Sequence, residues 1–320
     1  MLKSKLSGVS APDILIPNRE TDMEKWSIIA CDQYTSELEY WNEAKKFVGA
    51  SPSTLNMIFP EVYLEQGTEK QKTERIESIN NTMDLYIKNG IFENLQNCMI
   101  LTDRSIPGKT SRKGLVLAID LEKYNFSNDS SSLIRATEQT VIERLPPRIR
   151  IRENASLELP HIMVLIDDPE KTIIEPLYDK RNEFEKLYDF NLMFDSGNIK
   201  GYRIDSKDII ENLFSAFDTL ISPNTSPRDN APSDLDPANN SIFNHDPLLF
   251  AVGDGNHSLA SAKVCWEKIK LNLTEEEAEN HPAPFVQKND TQVVFKRGFV
   301  HDHVGIRIVE LVGDLIPDLF

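Results

Sequence analysis

Apolar positions recur along the chain with two periods, and segments of each kind alternate. Ile76, Ile79, Met83, Tyr86 and Ile87 share one face of a 3.6-residue repeat within 69–89, just ahead of Gly90, so this stretch reads as a long surface helix with a glycine stop. The same spacing predicts helices over 36–48, with Thr35 or Ser36 as N-cap, and over 179–188 and 206–220. Short apolar or alternating runs at 26–31, 99–102, 114–120, 161–166, 171–175 and 200–204 read as strands, the fourth of these running into the turn Asp167-Asp168-Pro169-Glu170. The expectation is an α+β protein, a mixed sheet with flanking helices, and the pattern does not distinguish parallel from antiparallel pairing.

The sharpest change of period lies at 247–270, PLLFAVGDGNHSLASAKVCWEKIK. Residues 248–252 form a buried-strand run, and from Ser258 onward Leu259, Ala262, Cys265, Trp266 and Ile269 recur at helical spacing. Between them Gly253 and Gly255 permit conformations closed to other residues, and Ser258 or Asn256 is a natural N-cap. A strand, a glycine turn and a helix start together aim free N–H groups and the positive end of a helix dipole at one point, which suits a phosphate or carboxylate. The turn also carries Asp254, able to hold a metal, Asn256, able to donate and accept, and His257, which titrates near neutrality. A plain strand-to-helix corner with a polar tip is the competing reading. The glycine spacing fits neither a dinucleotide-binding fingerprint nor a P-loop.

A second constellation gathers five arginines, Arg135, Arg144, Arg148, Arg150 and Arg152, with Glu138 and the pair Pro146-Pro147. Such a cluster is most often a solvated face paired with local carboxylates. The alternation RIRIRE offers another reading, in which Arg148, Arg150 and Arg152 share one face of a strand and converge on an anion. Three lesser features read as structural first: His161 as a strand-end histidine, Asp167-Asp168 as an ordinary turn rather than a Mg²⁺ site, and His301-Asp302-His303 as neighbours that point to opposite strand faces.

Composition narrows the classes. With 320 residues, 40% hydrophobic and 27% charged, the chain is long enough for one large or two ordinary domains with buried cores. The division expected is an N-terminal α/β region over 1–220, a mobile loop over 221–246 and a signature-turn region over 247–320, all three open to being one continuous domain. The loop begins ISPNTSPRDNAPSDLDPANNS, with four prolines and almost no apolar side chains. A net charge of −16 repels polyanions, so a nucleic-acid partner is not expected. The first residues lack an apolar signal core and no run of about 18 apolar residues occurs, so neither secretion nor a membrane partner is expected, and the chain is placed in the cytoplasm. Cys31, Cys98 and Cys265 are odd in number and far apart, which argues for buried thiols rather than disulfides or a zinc cluster.

The turn GDGNHSLASAK resembles the signature of the domain-of-unknown-function 1015 family, in which D-G-H-H-R or D-G-N-H-S precedes a helix. WSIIACDQYTSELEYW from Trp26, PSTLNMIFPEVYL from Pro52, and IRATEQTVIERLPPRIRIRENA from Ile134 through LPHIMVLIDDPE agree in the same order, so the resemblance spans roughly residues 10 to 284. After that the chain departs from the family's longer C-terminal part. In its D-G-H turn the family is similar to free serine kinases of the ParB and sulfiredoxin superfamily, and what that implies is a ParB/sulfiredoxin-like fold and a nucleotide-dependent phosphotransferase acting on a small hydroxylated metabolite such as a serine-like amino acid. Asp254, Gly255 and His257 match that turn, whereas Asn256 stands where the kinases carry His and Ser258 where they carry a basic residue.

The resemblance implies ATP or ADP with Mg²⁺ as cofactors and a small-molecule substrate and nucleotide as partners. Gly253, Gly255, Asn256 and Ser258 would hold phosphate, with Arg135, Glu138, Arg144, Arg148 and Arg152 as the second part of the site. Asp254 would carry the metal or accept a proton, His257 would stabilise the transferring phosphoryl charge, and a base is sought near the N-terminal strand among Asp32, Glu37 and Glu39. The oligomeric state is open. Two other classes stay in view: a nucleotide- or phosphate-binding regulator without turnover, and an interaction or structural protein.

Overall fold

The computed structural model describes residues 2–109, 111–127, 130–159, 162–222 and 247–280, with short strands at 285–286, 295–296 and 308–312. In chain order the first strands are β1 (Leu2–Lys3), β2 (Val9–Ala11), β3 (Ile14–Pro17), β4 (Phe92–Leu95), β5 (Met99–Ser105), β6 (Arg112–Asp120), β7 (Tyr124–Asn125) and β8 (Ile134–Ala136). They continue with β9 (Leu157–Glu158), β10 (Met163–Ile166), β11 (Lys186–Asn191), β12 (Asn198–Ile204), β13 (Phe250–Asp254), β14 (Phe285–Val286), β15 (Phe295–Lys296) and β16 (Ile308–Val312). The helices are α1 (Met23–Trp26), α2 (Leu38–Val48), α3 (Glu69–Lys88), α4 (Leu145–Arg152), α5 (Ile174–Asp179), α6 (Lys207–Leu220), α7 (Asn256–Lys270) and α8 (Glu275–Asn280).

One mixed sheet organises the molecule. Its order runs β11-β12-β5-β6-β16-β10-β13-β8-β7, mostly antiparallel but with parallel pairs β10–β16, β13–β8 and β7–β8. The centre, β5 and β6, is buried on both faces: Met99, Leu101, Leu115 and Leu117 pack one way and Ile100, Val116 and Ala118 the other. That two-sided burial explains why 114–120 is an unbroken apolar run rather than an alternating one. On the first face α6 and α7 cover the sheet through Ile210, Phe214, Phe217, Leu259, Ala262 and Trp266. A separate core under α3 joins Trp26, Met57, Phe59, Ile76, Ile79 and Met83 to Leu157.

The expected mixed sheet with flanking helices is present. The long helix over 69–89 is α3, opened by a capping box between Thr68 and Gln71, a device that satisfies two first-turn N–H groups at once. Three predicted elements differ. Residues 26–31 are not a strand: Asp22 caps the short helix α1, and the chain then runs irregularly because Trp26 is held in the α3 core and its carbonyl accepts the Thr54 hydroxyl at 2.8 Å. The helix expected over 179–188 gives way to a 3₁₀ turn at Arg181–Glu183 followed by β11, and the strand expected over 171–175 gives way to α5. In the β11–β12 pair edge pairing wins over helical spacing, because β12 offers a full ladder and Tyr188 lies over Gly201, where a Cβ would meet the ring at 2.1 Å. A fourth difference, α4, belongs to the site.

His161, His301-Asp302-His303 and all but the first two residues of the 221–246 loop lie outside the described residues. Among those described, no helix is long and apolar enough to cross a membrane. Cys98 and Cys265 are buried thiols, and burial pushes Cys98 up to about 12.

The close approach at Gly201 yields a prediction. Gly201→Ala costs on the order of 2 kcal/mol in urea unfolding, the usual penalty of overpacking, and Tyr188→Ser in the same chain recovers most of it. A single variant as stable as the parent would show that the ring moves freely.

Candidate functional site

The strand–turn–helix read from 247–270 is present. β13 is paired on both sides through Val252, antiparallel with β10 and parallel with β8; the β10 ladder then bulges at Gly253 and resumes at Asp254, which ends the strand opposite Met163. Gly255 then adopts the left-handed region, φ 75 and ψ 22, and serves as N-cap of α7. Neither Ser258 nor Asn256 caps the helix, contrary to the reading of the sequence: α7 begins at Asn256, and Gly255 makes no side-chain cap bond. Gly255 has no side chain with which to cap the first turn, and a helix N-terminus is a place that favours an anion. Gly253 also differs from expectation. Its φ is not positive; it lies at the bulge between the Met163–Asp254 and Val164–Val252 pairs, and a Cβ there would find its nearest neighbour, the Met163 carbonyl oxygen, at 3.8 Å.

Asn256 is a structural residue. Its side chain is buried, its Oδ1 accepts the Tyr124 hydroxyl at 2.9 Å, and its Nδ2 donates to the Glu138 carbonyl at 3.0 Å and to Thr140 Oγ1 at 2.8 Å. With both amide protons and the oxygen used, it has no amide proton left for a ligand phosphate. What it does is tie the start of α7 to the segment after β8. That tether sets up the neighbouring contact, in which the Val141 backbone N–H donates to His257 Nε2 at 3.1 Å. The accepting role fixes the proton on Nδ1. Burial first, then the positive charges of Arg148 and Arg144, hold the imidazole below its ordinary value, against a smaller opposing pull from Glu138 and Asp32. His257 is therefore a neutral Nδ1–H donor at pH 7.

The same balance of charges places Arg144, Arg148, Glu138 and Asp32 around His257. Glu37 is exposed at the entrance of α2, where its carboxylate accepts the Ser36 N–H at 3.2 Å. Arg135, on β8, donates to the Pro247 carbonyl at 3.1 Å. Asp168 accepts from the Thr172 hydroxyl and the Ile173 N–H, both at 2.9 Å, which makes Asp167-Asp168 the ordinary turn.

The arginine cluster is not on a strand. Residues 145–152 form α4, packed against α7, with Pro146 and Pro147 at its start, where proline's fixed φ suits a helix and its missing N–H costs nothing. Alternating arginines on a helix diverge: residues four apart align, so Arg144, Arg148 and Arg152 form one row while Arg150 faces elsewhere. Arg150 meets Glu69 at 2.8 Å and Thr73 on α3. Arg148 pairs with Glu61, and Arg152 with Glu158 at 2.5 Å. Arg144 is the exception, exposed and without a carboxylate partner among the described residues. Only one member of the predicted triad of converging guanidiniums, Arg148, remains beside His257, and Arg144 joins it there.

Sequence reasoning missed Glu61, Thr140, Tyr124 and the Val141 N–H. Glu61, Thr140 and Val141 stood in segments already singled out for their resemblance; nothing there marked them individually, and Tyr124 carried no signal, because a hydroxyl or a main-chain donor has no spacing rule.

A glycine-capped helix start beside a neutral histidine, two guanidiniums and two carboxylates is an arrangement with groups suited to an anion, in a mixed α/β fold. The family model of the proteins of unknown function called domain-of-unknown-function 1015 matches residues 15–295, and the chain belongs to that family. No curated protein and no solved structure matches it.

Two predictions follow from this geometry. Asn256→Leu strands the Tyr124 and Thr140 hydroxyls and lowers stability by about 2–4 kcal/mol in denaturant unfolding, whereas Gly253→Ala changes it by less than about 0.5 kcal/mol; equal effects would remove the distinction between tether and strand. For His257, the unfolded chain takes up a proton near its ordinary 6.5 before the folded chain does. Stability therefore falls as pH drops through that value and levels off below the folded one. In His257→Gln that decline is smaller between pH 7 and pH 5.5, measured by melting temperature; an identical profile would show that the imidazole is not held neutral.

Proposed function

We propose that the chain is a nucleotide-dependent phosphotransferase acting on a small hydroxylated metabolite, a serine-like amino acid being one candidate, in a fold of the ParB and sulfiredoxin type. The observation that carries the reading is Arg144, an exposed guanidinium with no carboxylate partner among the described residues, whose charge reaches a histidine at a glycine-capped helix start. Arginines in an acidic protein ordinarily find carboxylates, as Arg148, Arg150 and Arg152 do here. A guanidinium left beside an anion-favouring turn is suited to two-point contact with phosphate.

Bound nucleotide with Mg²⁺ would supply the transferable phosphoryl group and neutralise its charge. Among the described residues no group of three His, Cys, Asp or Glu could cage a metal, which fits a cation held by one protein carboxylate and by phosphates; Asp254 is the residue assigned to it. The N–H groups of the first turn of α7 bind the phosphate, and Arg144 orients it. His257, neutral, donates from Nδ1 to a phosphoryl oxygen, so it stabilises charge by a directed hydrogen bond rather than by its own charge. Asp32, which shares the surroundings of His257, accepts the proton of the substrate hydroxyl. Glu37, engaged with its own helix entrance, is set aside as base. Positioning and electrostatics do most of the work.

The test is a thermal shift with ATP or ADP and Mg²⁺, followed by an assay of transfer to serine and related hydroxy compounds. Nucleotide at 100 times Kd adds about 2.7 kcal/mol of stability. Arg144→Lys lowers nucleotide affinity about tenfold although the charge is kept, while Arg150→Lys, on α4 but turned toward Glu69 and Thr73 of α3, leaves it unchanged. Binding without transfer would make the protein a nucleotide-binding regulator. No shift with either nucleotide would leave an interaction or structural protein.

A further inference from the structure

Beside the turn lies a cavity of about 120 Å³ that the anion site does not explain. Ser258, in the first turn of α7, and Arg148 stand on its wall next to His257, and the remainder is largely apolar, with Met57, Phe59, Ile79, Met83 and Leu157 as its main surfaces. Packed interiors leave few voids larger than a water molecule, and an apolar one of roughly 150 Å³ accepts a benzene-sized body. Polar character enters the wall chiefly through two ion pairs, Arg148–Glu61 and Arg152–Glu158, whose side chains are only 13% to 19% exposed. Desolvated pairs of this kind add little stability over apolar side chains of the same volume. Of the five N–H groups of Arg148, one is given to the Arg144 carbonyl at 2.7 Å and one to Glu61, which leaves the guanidinium with donors for a carboxylate.

We propose that this cavity binds the acceptor and that the acceptor is a short-chain aliphatic hydroxy acid, its alkyl body among Met57, Phe59, Ile79, Met83 and Leu157 and its carboxylate at Arg148. A serine-sized polar molecule has nothing to place on those surfaces, whereas four to six carbons fill them. The orientation follows from the wall: the charged end lies at the Arg148 and Ser258 side, next to His257, and the chain points away toward α3. The inference rests on the phosphotransferase reading for the role of acceptor only; occupancy of the cavity stands apart from turnover.

Binding of lactate, 2-hydroxybutyrate and 2-hydroxyisocaproate is measured by calorimetry on the full chain. Each buried methylene tightens binding about fourfold, so affinity rises about fiftyfold from the first acid to the last, and 3-methylbutanol, which has a matching alkyl body and no carboxylate, binds at least tenfold more weakly than 2-hydroxyisocaproate. Ala155→Leu, which fills the cavity from a buried wall position, flattens the series to within about threefold while the ATP–Mg²⁺ thermal shift is retained; should it not fold, Met83→Phe fills the same space. Equal affinities along the series in the parent chain, or a gradient that survives the filled cavity, would overturn the proposal. A graded series without phosphoryl transfer leaves the cavity assignment standing and removes the phosphotransferase reading instead.

Discussion

The site depends on the buried amide of Asn256. Three hydrogen bonds, to Tyr124, Thr140 and the Glu138 carbonyl, join the first residue of α7 to β7 and to the segment that follows β8. A buried amide is tolerated only when its donors and acceptor are met, and removing one partner exposes the others to the full desolvation penalty. The network is therefore all-or-none, and it fixes the phase at which α7 leaves the turn. Once the phase is set, His257 faces Val141 and the arginine row of α4, and Ser258 faces the cavity. A rotation of one residue at the helix start, about 100°, would dismantle each of these contacts.

From that constraint the charge distribution follows. Because α4 packs on α7, its row of Arg144, Arg148 and Arg152 runs along the boundary between the turn and the cavity. The two deeper arginines are neutralised by Glu61 and Glu158, as burial requires. The outermost, Arg144, is in water and bears no such requirement. A graded row results: Arg148 and Arg152 are paired inside, while Arg144 at the mouth shares the surroundings of His257 with the carboxylates Asp32 and Glu138.

Much of this was legible before any coordinates. The central strands, α3, α6 and the strand–turn–helix of β13 and α7 stand out in the apolar pattern because each buries a continuous stripe. The α4 segment was misread for a reason internal to its sequence: RIRIR has period two, but Pro146 and Pro147 preset helical φ at its start and the arginines are satisfied by carboxylates on two different sides, Glu61 and Glu158 on one and Glu69 on the other. Only a helix sends alternate residues to partners so placed. Gly253 and Gly255 look equivalent in sequence, yet only Gly255 has positive φ; Gly253 is the extra residue of the bulge where β13 shifts register against β10. Asn256 looked like a ligand because its tether partners, Tyr124 and Thr140, lie 132 and 116 residues away, a separation no local pattern encodes.

The protonation state of His257 links these points. A cationic histidine beside Arg144 and Arg148 would add a third positive charge where only Asp32 and Glu138 oppose it, and it would turn an N–H toward the Val141 N–H. Neutrality is thus imposed by the main chain and by the arginines together. An incoming phosphate adds negative charge within the same cluster, which raises the imidazole's affinity for a proton, but Nε2 stays committed to Val141 for as long as the Asn256 tether holds. The ligand therefore meets a donor of fixed tautomer rather than a titrating acid. Transfer at this site would rely on an arrangement complete before the ligand arrives, with no proton rearrangement at the histidine during the reaction.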